Sequence, residues 1–300
     1  YQGRLFLYGD LKSGSEINLA QEAELHSGTV YGTLGGEGSV RKCGDGTVVL
    51  NGSNTFTGEL VVESGLLSVP KGKLASSNIC INGGCLDLGG KNFNLRSGSR
   101  LSLNGGTLRG EFTLLAGAGM EVTDGEVEGN LHLKGGNLVM GLDGLNISGE
   151  LSILSASTII LSMPEDGLAD TYTGTLFTAG ALAGNPELLV IYAGPEYSSR
   201  DFALVTHTDE QQGVRIDVVK MAGDSALSLS WRGGKGVLCN GSGSSAFDAE
   251  GDYIMDTRFY NGDSLLFAHG GSITLVGEVM PQSITVEGTK SLVFSEKTKD

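Results

Sequence analysis

The sequence predicts an all-β protein whose first half is a right-handed parallel β-helix, a solenoid, and three observations carry that prediction. Short apolar runs recur between residues 44 and 145, each closed by Gly, Asn or Ser. A glycine doublet followed by one residue and then Leu occurs as NGGCL at Gly83–Gly84, NGGTL at Gly105–Gly106 and KGGNL at Gly135–Gly136. Within the runs, apolar and polar residues alternate with the period of a strand. Each turn of a solenoid returns the chain to the same corner one strand spacing higher, so a repeated corner signature is what that geometry leaves in a sequence. A two-sheet sandwich also has short, evenly spaced strands, but the repeated turn favours the solenoid.

Composition fits that body. Among 300 residues there are 49 Gly and only 5 Pro, which points to frequent tight turns rather than to a Pro-rich disordered tail. Apolar residues make up 39% of the chain, enough for a core, and no run of them is long enough to cross a bilayer. This length ordinarily suggests two domains, although a solenoid can be one continuous body. The sequence opens at Tyr1 without a charged n-region or an apolar h-region, so a signal peptide is expected to lie outside it. A net charge of −15 argues against nucleic acid and anionic membranes as partners, because both would be repelled. Cys43, Cys80, Cys85 and Cys239 are too few and too scattered for a disulfide framework. Cys80 and Cys85 bracket INGG and would form a small loop bridge if their Cα atoms came within about 7 Å. A zinc site would need two further ligands at sensible spacing, and none is near; no cofactor is expected.

Residues 1–43 give the weakest signal. LFLYGD and EINLA read as strands, and AQEAELHSG as either one helical turn or an irregular cap, so the segment is a candidate N-terminal cap or an incomplete rung. Residues 44–145 are the β-helix proper. Apolar runs stand at Val48–Leu50, Leu60–Val62, Leu66–Val69, Cys85–Leu88, Leu101–Leu103, Phe112–Leu115 and Leu131–Leu133. The first two doublets lie 22 residues apart and the second and third 30 apart, a loose repeat of rung length. Val127, Leu131 and Leu133 share one parity; Asp124, Glu126, Glu128, Asn130, His132 and Lys134 share the other. One face packs and the other is wet.

Residues 146–230 change character: strands lengthen, Pro appears at Pro164, Pro186 and Pro195, and the doublets stop. Long alternating strands joined by loops read as antiparallel hairpins, a mixed end of the solenoid or a sheet that seals it. Residues 231–300 open with a tryptophan, Trp231, and the glycine turn Gly233–Gly234.

Two stretches resemble a known family. In Asn51–Val69, Asn54 and Gly58 fall in an Asn-Thr-Phe-Thr-Gly turn, a strand follows around Glu59–Val62, and Gly65 closes the turn before a strand at Leu66–Val69. This resembles the autotransporter-associated β-strand repeat, with Phe56 where the family usually has Tyr. Further on, Trp231, Gly233, Gly234, Gly262, Asp263, Phe267, Pro281, Ile284 and Val286 match the opening of another autotransporter-type module. Leu265 replaces the usual Val there, and Val237–Tyr260 lacks the family's Asn-Trp pair. The resemblance implies a β-solenoid at a bacterial surface, and residues 231–300 as the start of a further module. The corner residues it and the doublets mark are Asn54, Gly58, Gly65, Gly84, Gly106, Gly136, Gly233 and Gly234.

Candidate chemistry is sparse. Asp124, Glu126 and Glu128 stand at i, i+2 and i+4 of a strand, which spaces neighbouring carboxylates about 7 Å apart on one face, within the separation used by an inverting glycosidase. A hard cation would also suit them. The plain alternative is a solvated face whose charges keep molecules from pairing edge to edge. Asp45–Gly46, Asp124–Gly125, Asp143–Gly144 and Asp166–Gly167 never recur at nine residues, as a calcium-binding β-roll would require, and turn chemistry accounts for them. Asp170–Thr171 and Asp256–Thr257 lack the glycine of an aspartic-protease loop, no Gly-x-Ser-x-Gly or His-Glu-x-x-His occurs, and His26, His132, His207 and His269 are far apart. Gly241–Ala246 nominally fits a dinucleotide fingerprint but lacks the strand-turn-helix context, and reads as a loop. Trp231 alternates with Leu227 and Leu229, so packing suits it better than stacking on a sugar.

The resemblance implies a surface-exposed or secreted, outer membrane-associated bacterial passenger, structural or adhesive in its work, with any anchor expected C-terminal to Asp300. Its partner would be a glycan or protein of a host or matrix surface, with no nucleic acid and no direct membrane insertion here. The competing reading is an extracellular hydrolase or lyase acting on glycans or mucin-type glycoproteins through Asp124, Glu126 and Glu128.

Overall fold

A computed structural model describes residues 5–12, 14–71, 73–162, 172–194, 196–209, 213–220, 226–238, 247–249, 259–276, 279–288 and 290–296. Cys239, Pro164, Pro195, Asp166–Gly167, Asp170–Thr171, Asp256–Thr257 and Gly241–Ala246 lie outside them. The described helical structure amounts to two short 3-10 turns, Pro186–Leu188 and Ser199–Asp201, and the rest of the regular structure is β. Contacts group the chain into two compact units. One takes in Tyr1–Ser157, Thr175–Leu188 and Thr206–Ile216; the other takes in Thr158–Gly174, Leu189–Val205 and Asp217–Asp300.

The first unit is a parallel solenoid with three ladders to a turn. Along the first face, Leu5, Ala23, Val40, Leu60, Ile79, Leu101, Met120 and Leu138 are successive in-register partners. Along the second run Val48, Leu67, Leu86, Leu108, Val127, Ile147 and Ala179. The third carries Phe93, Phe112, Leu131, Leu151 and Leu182. Parallel, in-register stacking puts like positions over like, so an inward apolar residue is covered by its equivalents above and below. All of the second-face residues just named are buried, as are Phe93, Phe112, Leu131 and Leu151. Each such burial is worth roughly 1.5–3 kcal/mol for a Val, Leu, Ile or Phe side chain, which is how strands of three or four residues hold together. Phe93 and Phe112 stack with ring centroids 6.0 Å apart.

The repeat is shorter than the doublets imply. First-face partners lie 17 to 22 residues apart. The Gly83–Gly84 and Gly105–Gly106 doublets do share a corner, but the next occupant is Gly125, and Gly135–Gly136 sits a corner further on, over Leu114 and Ala116. The 30-residue gap is one turn plus one corner.

Beyond Met140 the pairing stays parallel where a hairpin was expected: Leu145–Ser155 and Tyr172–Gly184 pair in parallel, Leu145 on Phe177 and Leu151 on Leu182. Alternation with a period of two is satisfied by either direction, so it marked the strands without fixing their sense. At the other end, Ala23–Leu25 is a strand, with Leu5–Leu7 and Val40–Lys42 as its parallel partners, and not a helical turn.

In the second unit, Ser228–Trp231, Ser264–Phe267 and Ser283–Val286 form one parallel succession. Gly234–Leu238, Gly271–Leu275 and Leu292–Glu296 form another. Phe247–Ala249 pairs antiparallel with Ser228–Trp231. Leu229, Trp231, Leu238, Phe259, Leu265, Phe267 and Ile273 make its core, so the lone tryptophan is a packing residue here, 1% exposed.

Candidate functional site

The corner between the first and second faces shows how the sequence builds the surface. Thr47, Leu66, Cys85, Thr107 and Glu126 are successive partners on the second face, and each is preceded by glycine: Gly46, Gly65, Gly84, Gly106 and Gly125. A Cβ on Gly65 would lie 2.6 Å from the Gly46 carbonyl oxygen, one on Gly84 2.9 Å from that of Gly65, and one on Gly125 2.7 Å from that of Gly106. Each glycine leaves the room into which the carbonyl below it projects, so turns stack at strand spacing only without side chains there.

Asp124 belongs to this corner. Its Oδ1 accepts a hydrogen bond from the Gly125 amide at 2.7 Å, local turn chemistry of the kind Asp-Gly favours. The strand Gly119–Lys134 bends at Gly125, with φ 117°, and again at Gly129, with φ 143°. Asp124, Glu126 and Glu128 therefore do not lie along one straight strand: Glu126 and Glu128 share the second face, Asp124 sits at the corner before it, and His132 stands on the third face. Val127, Leu131 and Leu133 point inward as the alternation requires.

The acidic side chains have partners one turn below. Glu128 Oε2 accepts from Arg109 Nε at 2.5 Å, and Glu126 Oε1 from Thr107 Oγ1 at 3.5 Å. His132 Nε2 lies 3.9 Å from Glu111. The hydrogen bond to Glu128 holds the Arg109 guanidinium protonated still more firmly than usual. The same arrangement recurs on the first face. Arg41 reaches Glu22 at 3.0 Å on one neighbouring turn and Glu63 on the other. Glu63 in turn accepts from Asn82 at 3.1 Å, and Asn82 from Asn104 at 3.2 Å. Glu22–Arg41, Glu63–Asn82, Asn104–Thr123 and Arg109–Glu128 are each separated by 19 residues. That offset is the readable signal of the ladders, and the glycine doublets, split between two corners, do not carry it.

Cys80 and Cys85 stand on different ladders across the Asn82–Gly84 corner, and both are free thiols, as is Cys43. Cys80 Sγ donates to Asn82 Oδ1 at 3.0 Å. Burial pushes all three thiols up from their ordinary value, which keeps thiolate, the reactive and metal-binding form, scarce at neutral pH. Among the described residues no three His, Cys, Asp or Glu side chains converge as a metal site requires.

The other marked positions are corners too. Asn54 is buried, bridges to Leu34, and its Nδ2 donates to the Lys73 carbonyl at 3.3 Å. A Cβ on Gly58 would meet the Glu37 carbonyl oxygen at 2.6 Å, and Phe56 is fully buried between these two turns. In the second unit Gly233 and Gly234 have φ 84° and 90°. Gly262 has φ 92°, and Asp263 beside it is fully buried. The surface thus offers corners, cross-turn ladders and repeated polar rows, with each acidic candidate already bonded to its own turn or to the one beneath.

Such a solenoid belongs to the class of repetitive, stacked β proteins. Residues 40–69 match the family model of the passenger-associated-transport-repeat. Over 251 residues the chain is 32% identical to the "Adhesin BmaC autotransporter" of Brucella suis biovar 1 (strain 1330), covering 84% of this chain and 6% of that protein. No solved structure matches. The chain is autotransporter passenger-like, and it spans about 6% of the length of the curated relative it matches.

Proposed function

We propose that this chain is a stretch of a bacterial passenger that works at the cell surface or outside the cell as an adhesive shaft, its ligand a glycan or protein of a host or matrix surface. The observation that carries the reading is the 32% identity to an autotransporter adhesin over 84% of the chain. The fold supports it: stacked turns repeat their outward positions every 17 to 22 residues, so weak contacts recur along one face and add through effective concentration. The stacked turns of the first unit present such a face without needing a large globular core. Residues 44–145 are the clearest part of this shaft, and residues 231–300 begin a further module of the same kind.

The test is adherence. The chain displayed on a non-adherent bacterium is expected to confer attachment to epithelial cells or matrix-coated plates, and attachment no better than the undisplayed control would overturn the reading. The triple variant Asp124→Asn, Glu126→Gln, Glu128→Gln, assayed on polysaccharide and mucin-type substrates beside the parent, separates adhesion from hydrolysis or elimination. Turnover by the parent that vanishes in the amide variant would replace the adhesive reading with the enzymatic one.

A further inference from the structure

In the first unit, four successive turns meet at the corner between the second and third faces around a cleft of about 270 Å3. It is lined by residues of each turn: Ser15 and Glu16 on the lowest, Tyr31 and Thr33 on the next, Ser53 above them and Lys71 on the fourth. The floor is bare backbone, because Gly32 and Gly52 fill the corner and a Cβ on Gly52 would lie 2.9 Å from the Tyr31 carbonyl oxygen. With turns about 4.8 Å apart, the four corners run roughly 14 Å along the stack. Glu16 stands at one end and Lys71 at the other, where its Nζ donates to the Asn51 carbonyl oxygen at 2.5 Å and is held over the turn below. Tyr31 lies between them with 47% of its surface open to water.

This lining selects a chemistry. One half-exposed aromatic residue, three aliphatic hydroxyls besides its phenol, and one carboxylate and one ammonium that cancel in charge border the cleft. An anionic polymer is disfavoured, since among the described lining residues Lys71 is the single cation, Glu16 opposes it, and the whole chain carries −15. An apolar ligand would find no aliphatic wall. A ligand with a C–H face and a rim of hydroxyls meets every group present. The volume lies just below the range of roughly 300–1,000 Å3 for drug-sized sites, so it suits one ring with its neighbours in solvent.

The geometry points to a carbohydrate subsite here, seating one uncharged pyranose of a surface glycan, with Tyr31 as the stacking platform and Glu16 and Lys71 as the polar anchors at either end. This names a ligand class for the adhesive reading and rests on that reading for the glycan's place on a surface. A single open subsite binds weakly, and a repetitive shaft compensates by number.

The test uses the whole 300-residue chain. Saturation-transfer NMR titrations with galactose, glucose, N-acetylglucosamine and their β-linked disaccharides are expected to show binding on the order of millimolar, with transfer strongest to one face of the ring. Tyr31→Ala should weaken it about tenfold while Tyr31→Phe retains it, since the ring and not the hydroxyl supplies the platform. Lys71→Met should weaken it without changing which sugar face is saturated. The half-exposed position of Tyr31 makes the variant a fair test, and an unchanged far-UV spectrum and melting midpoint confirm that it folds.

No saccharide binding by the parent, or equal binding by Tyr31→Ala, would overturn the subsite. So would sialylated or sulfated sugars, or an extended peptide, binding in the same titration more tightly than every neutral sugar. Adherence measured in parallel keeps the two readings apart. Attachment without saccharide binding sinks the subsite and leaves the adhesive role, whereas Tyr31-dependent binding without attachment sinks the adhesive role and leaves the subsite.

Discussion

A Cβ on Gly65 would stand 2.7 Å from the Nζ of Lys42. Lys42 occupies an inward first-face position, between its ladder neighbours Leu25 and Val62, and is fully buried. Its ammonium donates to the carbonyl oxygens of Cys43 at 2.9 Å, Gly44 at 2.6 Å and Ser64 at 3.0 Å. The Ser64 bond reaches the next turn, so one side chain fills the apolar column with its methylenes and ties two corners together with its head. That tie exists because position 65 has no side chain.

Gly65 and Gly90 make a matched pair, with φ 69° and 68°, yet nothing lies within 4 Å of a Cβ on Gly90. Gly90→Ala should therefore show backbone strain alone, about 1 kcal/mol. Gly65→Ala adds the clash with Lys42 and the carbonyls of Gly44 and Gly46, and should lose roughly 3 kcal/mol or more. Urea midpoints of the two variants check this. Equal losses would mean that the Lys42 corner yields freely.

Burial lowers the pKa of Lys42 from 10.5, against the weaker opposing pull of Cys43 and Asp45. The unfolded chain then holds the proton more tightly than the folded one between the depressed value and 10.5. Stability rises with pH across that window, and the charge penalty is fully present below it. Lys42→Met keeps the length and removes the titration. The parent should gain stability relative to Lys42→Met as pH climbs toward 10.5, read from denaturation midpoints at a series of pH values. A constant difference would place the ammonium in water.

Lys42 also marks where reading the sequence stops. Alternation was enough to send Val127, Leu131 and Leu133 inward, because a strand has a fixed period. It could not show that a lysine fills a core position, since that depends on register with Leu25 and Val62, partners 17 and 20 residues away. The same blindness covered pairing direction at Leu145–Ser155 and split the glycine doublets between two corners. Single glycines at 46, 65, 84, 106 and 125 carry the repeat more faithfully than the doublets do. Asp124, Glu126 and Glu128 looked alike as a string of acids, but the bends at Gly125 and Gly129 give each a different neighbour.

The outer ladders should be worth little one at a time. Arg109 and Glu128 side chains are 45% and 42% exposed, so water and salt screen them. Glu128→Gln is expected to change stability by less than about 1 kcal/mol, and by less still in high salt. Arg41→Ala removes a cation with carboxylates on two neighbouring turns, and should cost more than Glu128→Gln at low ionic strength. Denaturation at low and high salt tests both, and a large salt-independent loss at Glu128 would contradict the screened picture.

Asp263 presents the opposite case within the second unit. It is fully buried and accepts from the amides of Leu227 at 3.0 Å and Tyr260 at 2.8 Å, and from Arg200 Nε and Nη2, each at 3.2 Å. Arg200 also lies over the Tyr260 ring, 4.3 Å from its centroid. The carboxylate thus gathers three separate stretches of chain, and water cannot replace it. Asp263→Ala strands a guanidinium and two amides, for a loss of roughly 3–5 kcal/mol. Asp263→Asn keeps an acceptor but turns an amide N–H toward Arg200, and should fall between the alanine variant and the parent. Hydrogen exchange at the Leu227 and Tyr260 amides reads the local consequence: faster exchange at both in Asp263→Ala is expected, and protection equal to the parent's would show that the backbone, and not Asp263, closes this turn.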